Sequence, residues 1–265
     1  MGLFMQTLWS SLLAQYSNYP SLLVAFSGGV DSALVARAAR EAVTGPVRLV
    51  FCRNQLITKE EEQQAQCLAQ ELNLPFSIVE LDVLALAEVK HNRPQRCYVC
   101  KRALFSRLRQ LADEWNLAAV ADGSNADDKR SDNRPGNRAG AELGIAQPLA
   151  AAGLSKAQAR QLAQWLGLSN HAQAARPCLA TRFPYHTELD PALLQRVAQG
   201  EQLLRQLGLR ELRLRCHGEI CRIEATAADQ ELIFSESAHI AKTLTALGWR
   251  FVTLDLGGLQ SGCFD

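Results

Sequence analysis

Short apolar runs alternate with amphipathic stretches along the first part of the chain. Residues 22–26, 47–52, 76–81 and 118–122 read as buried strands. Residues 31–43, 58–72 and 98–115 carry helical patterns between them. Thr58 is placed to cap the second of these helices, with Glu61 at the capping-box position and acids in the first turn. Alternation of this kind predicts a parallel sheet with helices on both faces. Ligands of such sheets bind at the C-terminal ends of the strands. The segments after Phe26, Cys52 and Asp122 all fall at that end.

Farther along, the order changes. Residues 123–140 are polar and glycine-containing, which reads as a long active-site loop or a disordered surface loop. A helix over 155–166 closes a first domain, and 169–187 reads as a linker that carries chemistry. Helices follow at 191–207 and 229–247. Residues 211–215 and 220–225 form a hairpin around His217-Gly218, and 251–254 read as a last strand. The pattern predicts an α/β chain: a parallel-sheet domain over 1–168 and a smaller α+β domain over 169–265.

Composition narrows the function classes. With 48% hydrophobic and 21% charged residues among 265, the chain is ordinary globular material. A net charge of +1 gives no general basic field, so a nucleic-acid partner is not expected. The amphipathic start lacks the features of a secretory signal, and no apolar run reaches the ~20 residues of a membrane span. The expected setting is the cytoplasm. Eight cysteines in a chain of this length point to metal or redox chemistry rather than a disulfide scaffold.

The stretch with the most chemistry is Phe26-Ser27-Gly28-Gly29-Val30-Asp31-Ser32, directly after the first strand. Adjacent glycines let successive N–H groups point into one concavity, and the next helix adds the positive end of its dipole. That makes a nest for an oxyanion such as pyrophosphate, beside which Asp31 is suited to hold Mg²⁺. The lysine of a G-x-x-x-x-G-K-[ST] loop is missing. Instead SGGVDS resembles the pyrophosphate loop of ATP pyrophosphatases, which adenylylate a carbonyl oxygen.

Three cysteines stand out. Cys97 and Cys100 form a C-x-x-C pair at a helix start among Arg96, Lys101 and Arg102, a setting that favours thiolate. Cys178 lies in Arg176-Pro177-Cys178-Leu179-Ala180-Thr181-Arg182. Three thiolates suit a [4Fe–4S] cluster with one open iron. Zinc needs a fourth protein ligand, for which His91, His171 and His186 are candidates. Cys52, Cys67, Cys216 and Cys221 read as small buried hydrophobes, and Cys263 as a terminal thiol.

Taken together, SGGVDSALV, RCYVCK, DGSNADD, PCLATRFPY, LRLRCHGEICRIEA and FVTLDLGGLQSG resemble, in order, the LarE family of ATP-dependent sulfur transferases, which build the nickel-pincer nucleotide of lactate racemase. The resemblance implies a first domain similar to NAD synthetase. It also implies a substrate, a pyridinium dicarboxylate mononucleotide, that is adenylylated by ATP and then converted to a thiocarboxylate. Ser27, Gly28, Gly29 and Ser32 would hold pyrophosphate and Asp31 Mg²⁺. Asn125, with Asp127 and Asp128, would contact ATP or metal, or cap turns. Arg213 and Arg215, two residues apart on one strand face, would take the substrate phosphate, with Arg182 and Glu201 nearby. Some family members donate the sulfur of the cysteine at the Cys178 position and work once. Others bind a [4Fe–4S] cluster that carries hydrosulfide, and Cys97, Cys100 and Cys178 favour that form. A hexamer built from dimers is also implied. Three rivals remain: a tRNA thiolase, an ammonia-dependent amidating ligase, and a zinc-bound interaction protein.

Overall fold

The computed structural model describes residues 2–130 and 135–259. Cys263 lies outside them. The chain divides into two compact units, Met1–Leu86 with Gln95–Ala175, and Ala87–Pro94 with Arg176–Asp265.

The first unit opens with α1 (Gly2–Ala14) and then alternates β1 (Leu22–Ala25), α2 (Val30–Ala42), β2 (Val47–Arg53), α3 (Lys59–Glu71) and β3 (Phe76–Glu80). The chain leaves for the second unit through α4 (Ala87–Lys90). It returns with α5 (Arg96–Glu114), β4 (Ala119–Ala121), α6 (Ala126–Arg130), α7 (Pro135–Glu142), α8 (Pro148–Ala151) and α9 (Lys156–Trp165). The four strands are all parallel, in the order β3-β2-β1-β4. Side-chain alternation sends Leu22, Val24, Leu49 and Phe51 into one core with α1, α2, α3 and α9. It sends Leu23, Val50, Cys52 and Val120 into another against α5. Burial on both faces explains why these strands read as continuous apolar runs.

Local sequence accounts for the helix ends. Thr58 accepts from Glu61 N while the Glu61 carboxylate accepts from Thr58 N, the expected capping box. Ser155 and Gln158 make a second box at α9. The expected loop over 123–140 is instead largely helical, as α6 and α7. Asn125 Oδ1 accepts from Asp127 N at 3.0 Å and Asp128 N at 3.2 Å, and Asp128 Oδ2 accepts from Asn125 N at 3.1 Å. Pro135 begins α7. Such short helices rest on caps, which a search for apolar periodicity passes over.

The second unit contains α4, α10 (Pro191–Gln206), the hairpin β5 (Leu212–His217) and β6 (Ile220–Ala225), α11 (Ala227–Ser235), α12 (Ser237–Ala246) and β7 (Phe251–Leu254). Its sheet runs β5-β6-β7, antiparallel and then parallel. The single helix expected over 229–247 is broken at Glu236, which ends α11 and starts α12. Leu212, Leu214 and Cys216 point into the apolar core, while Arg213, Arg215 and His217 take the opposite face. Asn92 fastens the Ala87–Pro94 excursion to this unit: its Nδ2 donates to Phe183 O at 3.0 Å and Pro184 O at 2.8 Å, and its own carbonyl accepts from His186 N.

Among the cysteines read as core, Cys52, Cys216 and Cys221 are buried, and burial pushes the Cys52 and Cys221 thiols up to about 12. Cys67 departs from the expectation and is exposed, because Ala65, Leu68 and Ala69 form the buried stripe of α3 and Cys67 lies off it. Thr58→Ala removes a cap bond and is expected to lower stability by about 1 kcal/mol. Urea unfolding checks this as a lower midpoint at an unchanged slope.

Candidate active site

The strand order reverses between β1 and β4, and the loops after these two strands meet there. After β1, Gly28 adopts φ +75°. A Cβ at this position would lie 2.8 Å from Ala65 Cα on α3, so only glycine fits. Gly29 caps α2, whose first turn holds Asp31 and Ser32. Ser32 Oγ donates to Gly29 O at 3.0 Å and lies 3.2 Å from Ser27 Oγ. From β4, Gly123 packs so closely that a Cβ would come within 2.8 Å of Ser32 N. The result is a cradle of main-chain and hydroxyl donors at a helix start, suited to phosphate oxygens.

Asp31 is the hub of this cradle. Its Oδ2 accepts from Lys156 Nζ at 2.6 Å and from Asn125 Nδ2 at 3.2 Å. Its Oδ1 is buried and has no hydrogen-bond partner among the described residues. A buried, unsatisfied carboxylate oxygen beside a phosphate cradle fits Mg²⁺, which is usually bound through one or two carboxylates plus phosphates. Asn125 therefore joins two tasks, capping α6 and bracing Asp31. Beside it Asp122 is buried and its carboxylate accepts from Ser124 N and Ser124 Oγ. Burial raises its pKa.

Ser27, Gly28, Gly29, Asp31, Ser32 and Asn125 thus lie together around this cradle. Sequence reasoning missed Lys156 and Asn170. Lys156 is the first residue of α9, its N–H held by Asp127 Oδ2 at 2.8 Å. Asn170 Nδ2 donates to Gly28 O at 3.0 Å. Neither belongs to a recognisable motif, and the only local signal is the Ser155 cap that precedes Lys156.

Cys97 and Cys100 sit in the first turns of α5, the former exposed and the latter half-buried. Their helix is tied to α7: Tyr98 Oη donates to Glu142 Oε2 at 2.6 Å, and the Arg138 guanidinium lies 4.0 Å from the Tyr98 ring centroid. One turn apart, the two sulfurs suit two ligands of a shared metal group. Among the described residues, however, no cluster of three or more His, Cys, Asp or Glu side chains is placed to hold a metal ion. His171, one of the candidate zinc ligands, turns its Nδ1 toward Leu168 O at 2.9 Å.

In the second unit, Cys178 is half-buried and precedes the short 3₁₀ turn Leu179–Arg182. Its carbonyl accepts from Thr181 N at 3.0 Å and Thr181 Oγ1 at 2.9 Å. Arg182 is buried and forks onto Glu201, Nε to Oε1 at 2.7 Å and Nη2 to Oε2 at 3.2 Å. Its Nη1 donates to Pro177 O at 2.8 Å, bracing the residue before Cys178. Glu201 also accepts from Arg205 at 2.8 Å and from Leu214 N at 3.1 Å. Burial acts to raise the Glu201 pKa, and the Arg182 guanidinium, the Leu214 N–H and Arg205 together outweigh it, so the carboxyl titrates below its ordinary range.

A second buried carboxylate, Glu224, accepts from Arg215 at 2.9 Å and Arg222 at 3.0 Å. Arg215 Nη1 donates to Thr181 O, which links the strand to the Cys178 turn. Arg213 stands across from Glu224 in the hairpin and is half-buried. Desolvation, then repulsion from Arg215 and Arg182, lowers its pKa. Arg182 and Arg205 thus share Glu201, Arg215 and Arg222 share Glu224, and Arg222 also reaches Asp255 at 3.3 Å. Guanidinium groups gathered on one strand face suit recognition of an anion such as phosphate.

Removing the Glu201 charge strands Arg182 in the interior. Glu201→Gln is expected to destabilise the second unit by about 3–5 kcal/mol at pH 7. Because the folded pKa is depressed, the contribution is complete above the unfolded carboxyl value of about 4.3 and fades as pH falls through the lower folded value. Thermal unfolding of wild type and variant should therefore differ by a constant amount above about pH 5 and draw together progressively as pH falls below about 4.

Residues 8–119 match the NAD synthase family. A pyridinium-3,5-bisthiocarboxylic acid mononucleotide synthase of Lactiplantibacillus plantarum is 38% identical over 96% of this chain and 92% of its own. An uncharacterized Synechocystis protein is 38% identical over 91% of this chain and 90% of its own. A third relative, an uncharacterized protein of Methanocaldococcus jannaschii, is 28% identical over 93% of each chain. No helix among the described residues is long and apolar enough to cross a membrane. With a relative 38% identical along nearly its whole length, the chain belongs to the pyridinium-3,5-bisthiocarboxylic acid mononucleotide synthase family, LarE.

Proposed function

We propose that this protein is an ATP-dependent sulfur transferase acting in the cytoplasm on a pyridinium dicarboxylate mononucleotide. The observation that carries this is Asp31, a carboxylate with one buried unsatisfied oxygen inside a phosphate cradle, in a chain 38% identical to a synthase of the bisthiocarboxylic acid mononucleotide.

In the first step a substrate carboxylate oxygen attacks the α-phosphorus of ATP. The bond to the bridging oxygen breaks, and pyrophosphate leaves with its electron pair. Ser27, Gly28, Gly29 and Ser32 hold that pyrophosphate, and Lys156 adds a positive charge beside them. Mg²⁺ bound at Asp31 would neutralise charge on the leaving group. The chain's own contribution is positioning and electrostatics, the main requirements of phosphoryl transfer.

In the second step a sulfur nucleophile attacks the acyl carbon. A carbon–sulfur bond forms, the bond to the AMP oxygen breaks, and AMP departs, leaving a thiocarboxylate. Arg213 and Arg215 hold the substrate phosphate. Arg182 and Glu201, committed to each other, keep the arginine face and the Cys178 turn in shape. A [4Fe–4S] cluster bound through Cys97, Cys100 and Cys178 would supply a soft iron site for sulfide.

The test is iron and acid-labile sulfide per chain after anaerobic reconstitution, with product counted in the same sample. Wild type is expected to hold about four of each and to complete several turnovers, and Cys178→Ala to lose both. No iron in either protein overturns the cluster assignment. Loss of one sulfur from Cys178 after a single turnover identifies that thiol as a consumed donor instead.

A further inference from the structure

The peptide between Gly28 and Gly29 decides which way one wall of the phosphate cradle faces. A trans peptide is planar, so its C=O and N–H point in opposite directions. Gly28 O is held by Asn170 Nδ2 at 3.0 Å. The Gly29 N–H on the other side therefore turns away from Asn170, toward Ser27 Oγ at 3.4 Å. That contact is long and easily exchanged for a phosphate oxygen. A peptide flanked by two glycines turns over at little steric cost, because both neighbours tolerate either sign of φ. Packing of Gly28 on Ala65 fixes its Cα position, but a clamp on the carbonyl fixes the peptide plane.

Asn170 is itself firmly mounted. Its neighbour Ser169 donates through N and Oγ to the Glu71 carboxylate on α3. Gln173 Nε2 donates to Gln64 Oε1 at 3.3 Å, and Arg160 Nη2 donates to Gln173 O at 2.8 Å. The orientation of the amide follows from its partner, since a carbonyl only accepts and the amide nitrogen must face it. This leaves Asn170 Oδ1 buried with no hydrogen-bond partner among the described residues. A buried acceptor without a donor is costly, and an apolar filler in its place would avoid that cost. The amide is therefore present for what its nitrogen does to Gly28.

We propose that Asn170 is a positioning residue of the nucleotide site, which locks the Gly28–Gly29 peptide so that the Gly29 N–H faces the pyrophosphate of bound ATP. This rests on the loop being the ATP site. Two variants separate the role from general structure. Asn170→Ala removes the clamp. Asn170→Asp keeps the shape but, when ionised, sets a carboxylate against Gly28 O. When protonated, the same side chain can donate to that carbonyl.

Calorimetric titration of wild type and both variants with magnesium ATP, magnesium pyrophosphate and AMP tests the assignment. Asn170→Ala is expected to weaken both pyrophosphate-containing ligands about tenfold while AMP affinity changes less than about twofold. Asn170→Asp should bind magnesium ATP worse still at pH 8, where the side chain is ionised. Variants that bind magnesium ATP as tightly as wild type overturn the lock, and so does an equal loss for AMP and ATP. Wild type that binds no magnesium ATP overturns the nucleotide assignment itself.

Discussion

A parallel sheet cannot return its chain within its own plane, so every connection crosses a face, and the strand order β3-β2-β1-β4 reverses in one place. That reversal opens a gap between the loop after β1 and the loop after β4. The phosphate cradle of the first unit is arranged around it. Gly28 and Gly123 let two backbones and the start of α2 approach to distances that a Cβ would forbid. Asp31 then stands where a lysine from α9 and an asparagine from the β4 loop both reach it. The cradle is thus a consequence of topology first and of side chains second.

The second unit is governed by a different constraint, buried charge. Glu201 and Glu224 are almost wholly inaccessible, and burying a charge so deeply is costly unless it is paired. Each is shared between two guanidiniums. Breaking one pair would leave an uncompensated ion, so the network holds its geometry. It also ties β5 to the turn bearing Cys178, through Arg182 to Pro177 and Arg215 to Thr181. The arginines of this face are thereby held in fixed positions by buried partners.

Much of this was legible beforehand. The four strands were visible because both faces of the sheet are buried, which leaves unbroken apolar runs. Thr58 and Glu61 announced the α3 cap, and SGGVDS marked the cradle. The region over 123–140 reads as loop because α6 and α7 are too short to show a period, although Asn125, Asp128 and Pro135 stand at helix starts. Cys67 was misplaced because an Ala/Leu-rich helix does not reveal which of its small residues face solvent. The helix over 229–247 was read as one because the break at Glu236 carries neither proline nor glycine.

By itself, then, the sequence determined what depends on near neighbours and on repeating patterns: the alternation of strand and helix, the caps, the glycine turn and the residues able to bind phosphate or metal. Tertiary structure decided which distant residues meet. Lys156 and Asn170 follow the cradle by well over a hundred positions, and no local pattern distinguishes them from other surface polar residues. The same holds for the fork of Arg182 on Glu201 and for the sharing of Glu224, where burial turns ordinary charges into obligatory partners. Such contacts carry no signature along the chain, because their energy comes from desolvation, which exists only once the chain has folded.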